Sequence, residues 1–315
     1  MNSTDPTTDA PPTSAWPVRS ALLAVQILFG VHYLASKWIV REMEPAAWAC
    51  LRVVCSLVVL AAIAWLGRRR WPSRRDTWLL GFSALFGIVL NQALFLEGIS
   101  RTSVGHASLI CSQIPLFALL FALLLRQESF TLRKIVGFAL GMVGVFVLLE
   151  VDRFRLENEF LMGDLLVLAN SAAYGLFLVL SRPVMVRNDP LAATTVVFGF
   201  GAVGMLIYGL DDLLHADLGG LSTPVVSGMV YSVLGATVLT YFLNYWALKR
   251  AVATRVALYI FLQPVVAALL GVLVEGEAVT GRFLVATGLV FCGLCLRGAA
   301  GQAAVADPTS SGPRH

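Results

Sequence analysis

Residues 107–128 read ASLICSQIPLFALLFALLLRQE, and residues 256–277 read VALYIFLQPVVAALLGVLVEGE. The second stretch repeats the first, 149 residues further along, as an apolar run with a proline inside it and a glutamate at its end. The matched residues are Pro115 with Pro264 and Glu128 with Glu277. A helix of about 20 apolar residues is long enough to cross the ~30 Å hydrocarbon core of a bilayer. The two stretches therefore predict two related membrane-spanning helices.

The similarity extends to both sides of these two runs. At the same offset, flanking residues agree in type: Arg101 with Arg250, Thr131 with Thr280, Arg133 with Arg282 and Gly144 with Gly293. At an offset of 145, earlier positions agree as well: Gly30 with Gly175, Ser36 with Ser181 and Pro45 with Pro190. We interpret the chain as a duplication with copies at 19–150 and 151–297. The polar tails at 1–18 and 298–315 are expected to be disordered.

The composition supports membrane-spanning helices along nearly the whole chain. Hydrophobic residues make up 58% of the 315 positions and charged residues 13%, against roughly 25% charged in soluble domains. Apolar runs of membrane-spanning length recur at about 20–40, 46–67, 77–97, 103–125, 132–150, 162–181, 191–210, 225–247, 254–274 and 280–297. The predicted fold is an all-α integral membrane protein with ten transmembrane helices.

Each predicted copy holds five helices, and this odd number decides how the copies are oriented. Two copies of five helices inserted in series lie upside down relative to each other, as inverted repeats. Such repeats provide the two interchangeable conformations that alternating access requires. Channels and some enzymes also contain duplications, so the topology alone leaves those classes open.

The basic residues predict the orientation in the membrane. Of the 23 lysines and arginines, 16 fall on the side of the two termini, 6 fall on the other side, and Arg52 lies within a span. The positive-inside rule therefore places both termini in the cytoplasm, and we expect location in the inner membrane. We interpret the basic stretch 68–75, RRRWPSRR, as a loop that faces anionic lipid and not nucleic acid.

Three segments carry a resemblance to a known family: NQALFLEGISRTSVGHASLICSQIPLFALLFALLLRQESFTLRKIVGFALGMVGV, AWACLRVVCSLVVL and SAAYGLFLVLSRPVM. Over about residues 20–297 the chain resembles the EamA-type members of the drug/metabolite transporter superfamily. The resemblance implies a ten-helix carrier with a central cavity lined mainly by the first, third, fourth, sixth, eighth and ninth helices. The second copy has Thr240 and Tyr241 opposite Asn91 and Gln92, which predicts one asymmetric site.

Amide and aromatic side chains inside the spans are the candidate substrate ligands. Amides at mid-membrane depth are costly when they face lipid, so we expect them to face the interior of the bundle. Together with aromatic rings they suit a moderately apolar small organic solute. The candidates are Tyr33, Asn91, Gln92, Gln113, Tyr174, Tyr241, Asn244 and Gln263. For each of them, ordinary helix packing is the alternative.

Other residues have two interpretations that the sequence leaves open. Pro115 and Pro264 are either hinges that let their helices move or static kinks. Arg52 either anchors its helix structurally or contacts the substrate. Glu128 and Glu277 either cap the start of the next helix or take part in proton coupling. His106 lies either on the pathway or at the outer end of its helix.

The remaining motifs limit the function. We expect no cofactor and no metal site. The chain contains no Walker A pattern, which argues against ATP hydrolysis, and no GxSxG or HExxH pattern and almost no carboxylates in its spans, which argues against a membrane enzyme. We expect a secondary transporter that exports or exchanges a small organic metabolite, an amino acid or a drug-like solute. A channel or non-transporting sensor is the alternative, and a membrane enzyme is a further one. Gly137, Gly141 and Gly144 permit close helix contact, within a monomer or in a homodimer.

Overall fold

The computed structural model describes residues 15–127, 132–148, 160–240, 243, 262–289 and 291–292. Throughout these residues the regular structure is helical, and none of it is β-strand. Six of the helices are long and apolar enough to cross a membrane: Trp16–Glu42, Pro45–Leu66, Arg74–Arg101, Val104–Leu124, Leu161–Met185 and Pro190–His215. Shorter apolar helices cover Ile135–Gly144, Thr223–Leu239 and Leu262–Glu275.

The first half of the chain forms seven α-helices and one π-helical segment. In chain order they are α1 (Ala15–Glu42), α2 (Pro45–Leu66), α3 (Arg74–Ala84), the first π segment (Leu85–Leu90), α4 (Asn91–Arg101), α5 (Val104–Cys111), α6 (Ile114–Leu124) and α7 (Leu132–Leu148). Local chemistry sets several of these starts. Pro45 begins α2, where its missing N–H costs nothing, and the Ser73 hydroxyl accepts from the Asp76 amide at the start of α3.

The second half shows the same order as far as it is described. Its elements are α8 (Leu161–Arg187), α9 (Pro190–His215), α10 (Thr223–Val233), the second π segment (Leu234–Leu239), α11 (Leu262–Glu275) and α12 (residues 281–289). Pro190 begins α9 as Pro45 begins α2, and Asp189 caps α9 by accepting from the amides of Leu191 and Ala192. The duplication seen in the sequence thus has local structural counterparts.

The two π segments are the clearest of these counterparts. Leu85–Leu90 and Leu234–Leu239 are each six residues long and lie at the 149-residue offset of the sequence repeat. The first joins two α-helices, since α3, the first π segment and α4 together make up the Arg74–Arg101 span, and the second directly follows α10. A π-helical turn within an α-helix is rare and is frequent at functional sites.

The helix that contains Pro115 is interrupted. Ser112 and Gln113 form a turn between α5 and α6, and Pro115 occupies the first turn of α6, where its missing amide leaves no intrahelical bond unmade. Pro264 is buried in the first turn of α11. The residues before Leu262 lie outside the described ranges, so a bend at Pro264 stays a prediction.

The two halves contact each other reciprocally. Helix α1 packs against α11 and α10, while α8, its counterpart, packs against their counterparts α6 and α3 and also against α4. Glycines mark the two matched contacts. A Cβ added to Gly30 would lie 2.5 Å from Val266 Cγ1, and one added to Gly175 would lie 2.7 Å from Phe117 Cβ. Val266 and Phe117 are again 149 residues apart, so the same close approach is made twice.

The second helices of the two halves, α2 and α9, also pack directly on each other. At Gly209 an added Cβ would lie only 2.3 Å from the Ala46 carbonyl oxygen, whereas at Gly199 of the same helix it would meet nothing within 4 Å.

We expect Gly209→Ala to lower the melting temperature by several degrees. Overpacking against backbone costs about 1–3 kcal/mol, more than the ~1 kcal/mol that alanine gains over glycine in a helix.

Gly199→Ala is the matched control, and it should leave the melting temperature unchanged or raise it. Both variants are compared with the native protein by thermal unfolding in detergent, followed by size-exclusion chromatography. Equal melting temperatures for the two alanine variants would show that α2 and α9 do not meet at Gly209.

Candidate functional site

A chain of polar side chains runs through the middle of the bundle and draws on both halves. We call it the central polar chain. Its members are Tyr33, Arg52, Asn91, Gln92, Cys111, Asn170 and Thr237. Asn91 and Gln92 directly follow the first π segment, and Thr237 belongs to the second. Five members come from the first half, whereas Asn170 and Thr237 come from the second.

Arg52 links two of these elements. Its side chain is buried, with 7% of its surface exposed. One guanidinium nitrogen, Nη1, donates to Gln92 Oε1 at 2.9 Å, and Nη2 donates to Thr237 Oγ1 at 3.4 Å. The Thr237 hydroxyl in turn donates to the Ser232 carbonyl, five residues earlier, at 2.9 Å. The guanidinium therefore connects α2 to the start of α4 and to the second π segment.

The central polar chain continues from Gln92 to the other half of the molecule. Gln92 Nε2 donates to Asn91 Oδ1 at 3.5 Å, and Asn91 Nδ2 donates to Asn170 Oδ1. Asn170 is 2% exposed, and its own Nδ2 lies 3.5 Å from the Cys111 sulfur. The Cys111 thiol also lies beside the Tyr33 side chain. Each of these amides thus has a partner inside the bundle.

An aromatic wall borders the polar chain. The Phe95 ring stacks on His32 at a centroid distance of 6.0 Å and meets the edge of Tyr33 at 5.7 Å. His32 is 6% exposed and makes hydrogen bonds with the hydroxyls of Ser36 and Ser232. Because Ser232 belongs to α10, the imidazole adds another contact between the halves.

The structure brings three of the predicted substrate ligands together: Tyr33, Asn91 and Gln92. Gln113 lies elsewhere. It is fully buried, and its amide nitrogen and oxygen have no partner among the described residues; the oxygen lies beside Gly141 of α7.

The other predicted ligands are also dispersed. Gln263 donates to Gln26 at 2.7 Å, and Tyr174 packs on Phe177 at a centroid distance of 5.5 Å. The predicted ligands Tyr241 and Asn244 lie outside the described residues. Glu128, predicted to cap a helix or to take part in proton coupling, lies outside them as well.

Sequence reasoning missed four polar residues of this region: His32, Cys111, Asn170 and Thr237. Asn170 stands alone in the apolar run LLVLANSAAYG, and His32 directly precedes Tyr33. The cost of an amide or imidazole in hydrocarbon, which selected Asn91 and Gln92, would have selected these two as well. Cys111 and Thr237 carry no comparable signal, because cysteine and threonine are common in membrane helices.

Glu277 makes a structural contact that differs from the predicted one. Its carboxylate accepts from the backbone amides of Val104 at 2.6 Å and Gly105 at 3.0 Å, at the start of α5 in the other half. The start of the next helix, α12, is capped instead by Thr280, whose hydroxyl accepts from the Phe283 amide. The prediction that Glu277 caps the following helix did not foresee this, because in the fold the start of α5 lies closer than that of α12.

Lys37 acts on the same turn from the other side. Its ammonium donates to the carbonyls of Ile99 at 2.9 Å and of Thr102, at the end of α4. The Lys37 cation thus lies at the C-terminal end of α4, and the Glu277 anion lies at the N-terminal end of α5. The helix dipoles favour both placements. We call this turn, residues 101–106, the junction.

The central polar chain is suited to binding a polar organic molecule. Its amides, hydroxyl, thiol and guanidinium can donate to and accept from a polar organic molecule, and the adjoining rings can cover an apolar part. Among the residues that the structure describes, no three His, Cys, Asp or Glu side chains are grouped to hold a metal ion.

Six membrane-length helices around a buried polar chain define an integral membrane protein. The family model of the EamA-like transporter family matches residues 17–150 and again residues 161–298. The chain belongs to this family.

Several of the relatives are transporters by name. An "Uncharacterized transporter" of Archaeoglobus fulgidus is 26% identical over 87% of this chain and 96% of its own length. A "Probable amino-acid metabolite efflux pump" of Salmonella typhimurium is 24% identical over 86% of this chain and 91% of its own. A solved crystal structure shares the fold, with a TM-score of 0.62 at 20% identity over 92% of this chain and 99% of that one. The chain is accordingly a membrane transporter.

Proposed function

We propose that this protein is a secondary transporter that exports or exchanges a small organic metabolite by alternating access. The observation that carries the proposal is the central polar chain, in which Asn91 of one half binds Asn170 of the other and Arg52 binds Thr237. A site shared between two halves is rebuilt whenever the halves move relative to each other. Alternating access depends on such a rearrangement.

The proposed architecture is ten transmembrane helices in two inverted five-helix repeats. Reciprocal packing of α1 on α11 and of α8 on α6 supports it, because two equivalent halves related by a two-fold axis make each contact twice. The matched π segments support it as well. In this architecture Pro115 and Pro264 are the proposed hinges.

The proposed substrate is a small solute with both polar and apolar parts. Tyr33 and Phe95 offer aromatic surface, whereas Asn91 and Gln92 offer donors and acceptors, a combination that suits an amino acid or a drug-like molecule. The name of the Salmonella relative includes amino-acid metabolites, which supports the same class.

The proposed location is the inner membrane, as a monomer or homodimer with both termini in the cytoplasm. A periplasm-active reporter that worked when fused after Arg75 would contradict this orientation.

Counterflow in proteoliposomes tests the transport proposal. Vesicles are loaded with one unlabelled compound from a panel of amino acids, nucleosides and organic cations, and uptake of the same labelled compound is measured. We expect uptake that saturates with concentration and exceeds uptake by empty vesicles for at least one compound. Uptake that rises linearly without saturation would instead indicate a channel, and no uptake of any panel member would contradict the proposed substrate class.

A further inference from the structure

A cleft lined by basic side chains lies at the end of the bundle opposite the junction. The loop Gly67–Trp71, between α2 and α3, forms one wall, and residues Arg187–Asp189, between α8 and α9, form the other. The Arg74–Arg101 span begins beside the cleft and ends at the junction. The cleft has a volume of about 490 Å³, within the ~300–1,000 Å³ of small-ligand sites. We call it the basic cleft; its two walls come from the two halves of the chain.

Paired contacts between the halves fix the two walls. Arg187 Nε donates to Asp76 Oδ2 at 3.0 Å, and Arg187 Nη2 donates to the other carboxylate oxygen of Asp76. Asn188 Nδ2 also donates to Asp76 Oδ2, at 2.8 Å, and Asp76 is only 6% exposed. Across the cleft, Arg69 Nη1 pairs with Asp189 Oδ2 at 3.4 Å. The bidentate guanidinium–carboxylate pair gives the cleft a defined geometry.

The end of α2 also sets where the loop wall begins. The amide of Arg68 donates to the Trp65 carbonyl at 3.0 Å, and the amide of Arg69 donates to the Ala64 carbonyl at 3.2 Å. Arg68 has a φ of 46°, in the left-handed region, as at many helix ends closed by such bonds. The first arginine of the wall therefore leaves α2 in a fixed direction.

The basic cleft has an excess of positive charge. It is lined by four arginines and one acidic residue: Arg68, Arg69, Arg70, Arg187 and Asp189. The exposed side chains of Arg68 and Arg70 form no ion pair or hydrogen bond with any residue that the structure describes, and Arg187 remains 50% exposed beside Asp76. Guanidinium groups bind phosphate oxygens through paired N–H bonds. The cleft therefore suits a phosphate group.

Exposed tryptophans place the basic cleft at the surface of the membrane. Trp65 in the last turn of α2 is 76% exposed, Trp71 in the cleft wall 54%, and Trp78 near the start of α3 62%. Tryptophan is enriched where membrane-spanning helices meet the lipid headgroups. A phosphate at this depth belongs to a membrane lipid.

We propose that the basic cleft binds the headgroup phosphate of an anionic phospholipid, which thereby bridges the two halves of the protein. Arg68 and Arg70 of the first half and Arg187 of the second bind the phosphate, and Trp71 packs beside the glycerol. A zwitterionic lipid brings a cation that the arginines repel, so an anionic lipid is favoured. The site extends beyond the basic loop, because its second wall is the turn between α8 and α9. The inference rests on the membrane class and not on the proposed transport.

Lipid binding tests the proposal directly. Purified protein in a neutral detergent is mixed with phosphatidylglycerol or, at the same concentration, with phosphatidylcholine, and the lipid-bound fraction is measured by native mass spectrometry. We expect at least threefold more bound phosphatidylglycerol than phosphatidylcholine. Phosphatidylglycerol should also raise the melting temperature by several degrees, because a ligand of the folded form stabilises it, whereas inorganic phosphate at the same concentration should leave the melting temperature unchanged.

Two double variants separate the site from overall charge. Arg68→Gln/Arg70→Gln should bind at least threefold less phosphatidylglycerol than the native protein and lose most of the rise in melting temperature. Arg19→Gln/Arg126→Gln is the matched control. It removes two exposed arginines of the same predicted cytoplasmic side that do not line the cleft, and Arg126, with a φ of 55°, ends α6 as Arg68 ends α2. The control should bind within 1.5-fold of the native protein.

Four results would overturn the proposal: equal binding of both lipids by the native protein, native binding by Arg68→Gln/Arg70→Gln, an equal loss in the control, or equal stabilisation by inorganic phosphate, which would indicate a site for a free anion. Size-exclusion chromatography checks folding. If the cleft variant does not fold, Arg70→Gln alone replaces it and must bind at least twofold less. The measurements use no transported solute, so their failure leaves saturable counterflow standing, and absence of counterflow leaves lipid binding standing.

Discussion

The Glu277→Ala protein is expected to unfold several degrees below the native protein. Its carboxylate accepts from two backbone amides at the start of α5, and alanine leaves both amides without that acceptor. Hydrogen bonds to a charged group contribute more than neutral ones, and a helix start also favours the negative charge. For this partly exposed carboxylate we expect a loss of about 2 kcal/mol of unfolding free energy. Thermal unfolding in detergent measures it.

Two companion variants show whether the capping of α5 is responsible. Glu277→Gln keeps one acceptor oxygen for the two amides and should fall between native and Glu277→Ala. Glu42→Ala is the control, because Glu42 also accepts from a backbone amide and a hydroxyl, those of Ser222, but on the exposed surface. It should have a clearly smaller effect. A Glu277→Ala protein as stable as the native one would show that this carboxylate does not hold the halves together.

Arg52→Leu is expected to reduce saturable counterflow to the background of empty vesicles. The guanidinium holds Gln92 and Thr237 at once, and leucine leaves the Gln92 oxygen without that donor next to the proposed substrate path. Leaving a buried polar group unsatisfied costs about 1–3 kcal/mol, so the melting temperature should fall as well. Transport is therefore expressed per amount of folded protein, measured by size-exclusion chromatography.

Arg52→Lys separates charge from geometry. Lysine keeps the charge but lacks the planar fork that reaches two acceptors, so we expect counterflow at least about tenfold below native. Arg41→Leu is the control, since Arg41 pairs with Glu275 while more than half exposed, and exposed ion pairs contribute little. It should transport within twofold of native. Native transport per folded Arg52→Leu molecule would assign Arg52 a purely structural role.

The sequence predicted the all-helical membrane class and the family, and the repeat carried much of that information. The helical membrane class followed from apolar runs of membrane-spanning length, and the family followed from segments around Asn91, Arg52 and Tyr174. The offset of 149 residues relates the two π segments, and the offsets of 145 and 149 relate the matched glycines and their contact partners, although the repeat alone did not predict a π turn. Hydrophobic periodicity does not report such turns, because a six-residue change of helix type shifts the apolar pattern too little to be read from one sequence.

Side-chain partners were predictable only in part. The cost of amides in hydrocarbon correctly directed attention to Asn91 and Gln92, but the partner of Asn91 is 79 residues away, on α8. Such a pairing depends on how two helices are rotated about their axes, which one sequence does not specify. Gln113 shows the same limit. Helical spacing places it on one face with His106, but the helix is interrupted by a turn at Ser112, and the Gln113 amide lies beside Gly141 of α7, which has no side chain.

The paired π segments also record an order of events in the history of this protein. A π turn arises when one residue is inserted into an α-helix, which rotates everything beyond it by about 100°. Two independent insertions at Leu85–Leu90 and Leu234–Leu239 would have had to choose the same position twice. A single insertion in an ancestor of half the present length, copied when its gene was duplicated, accounts for both. Under that account the rotated third helix is older than the two-half protein.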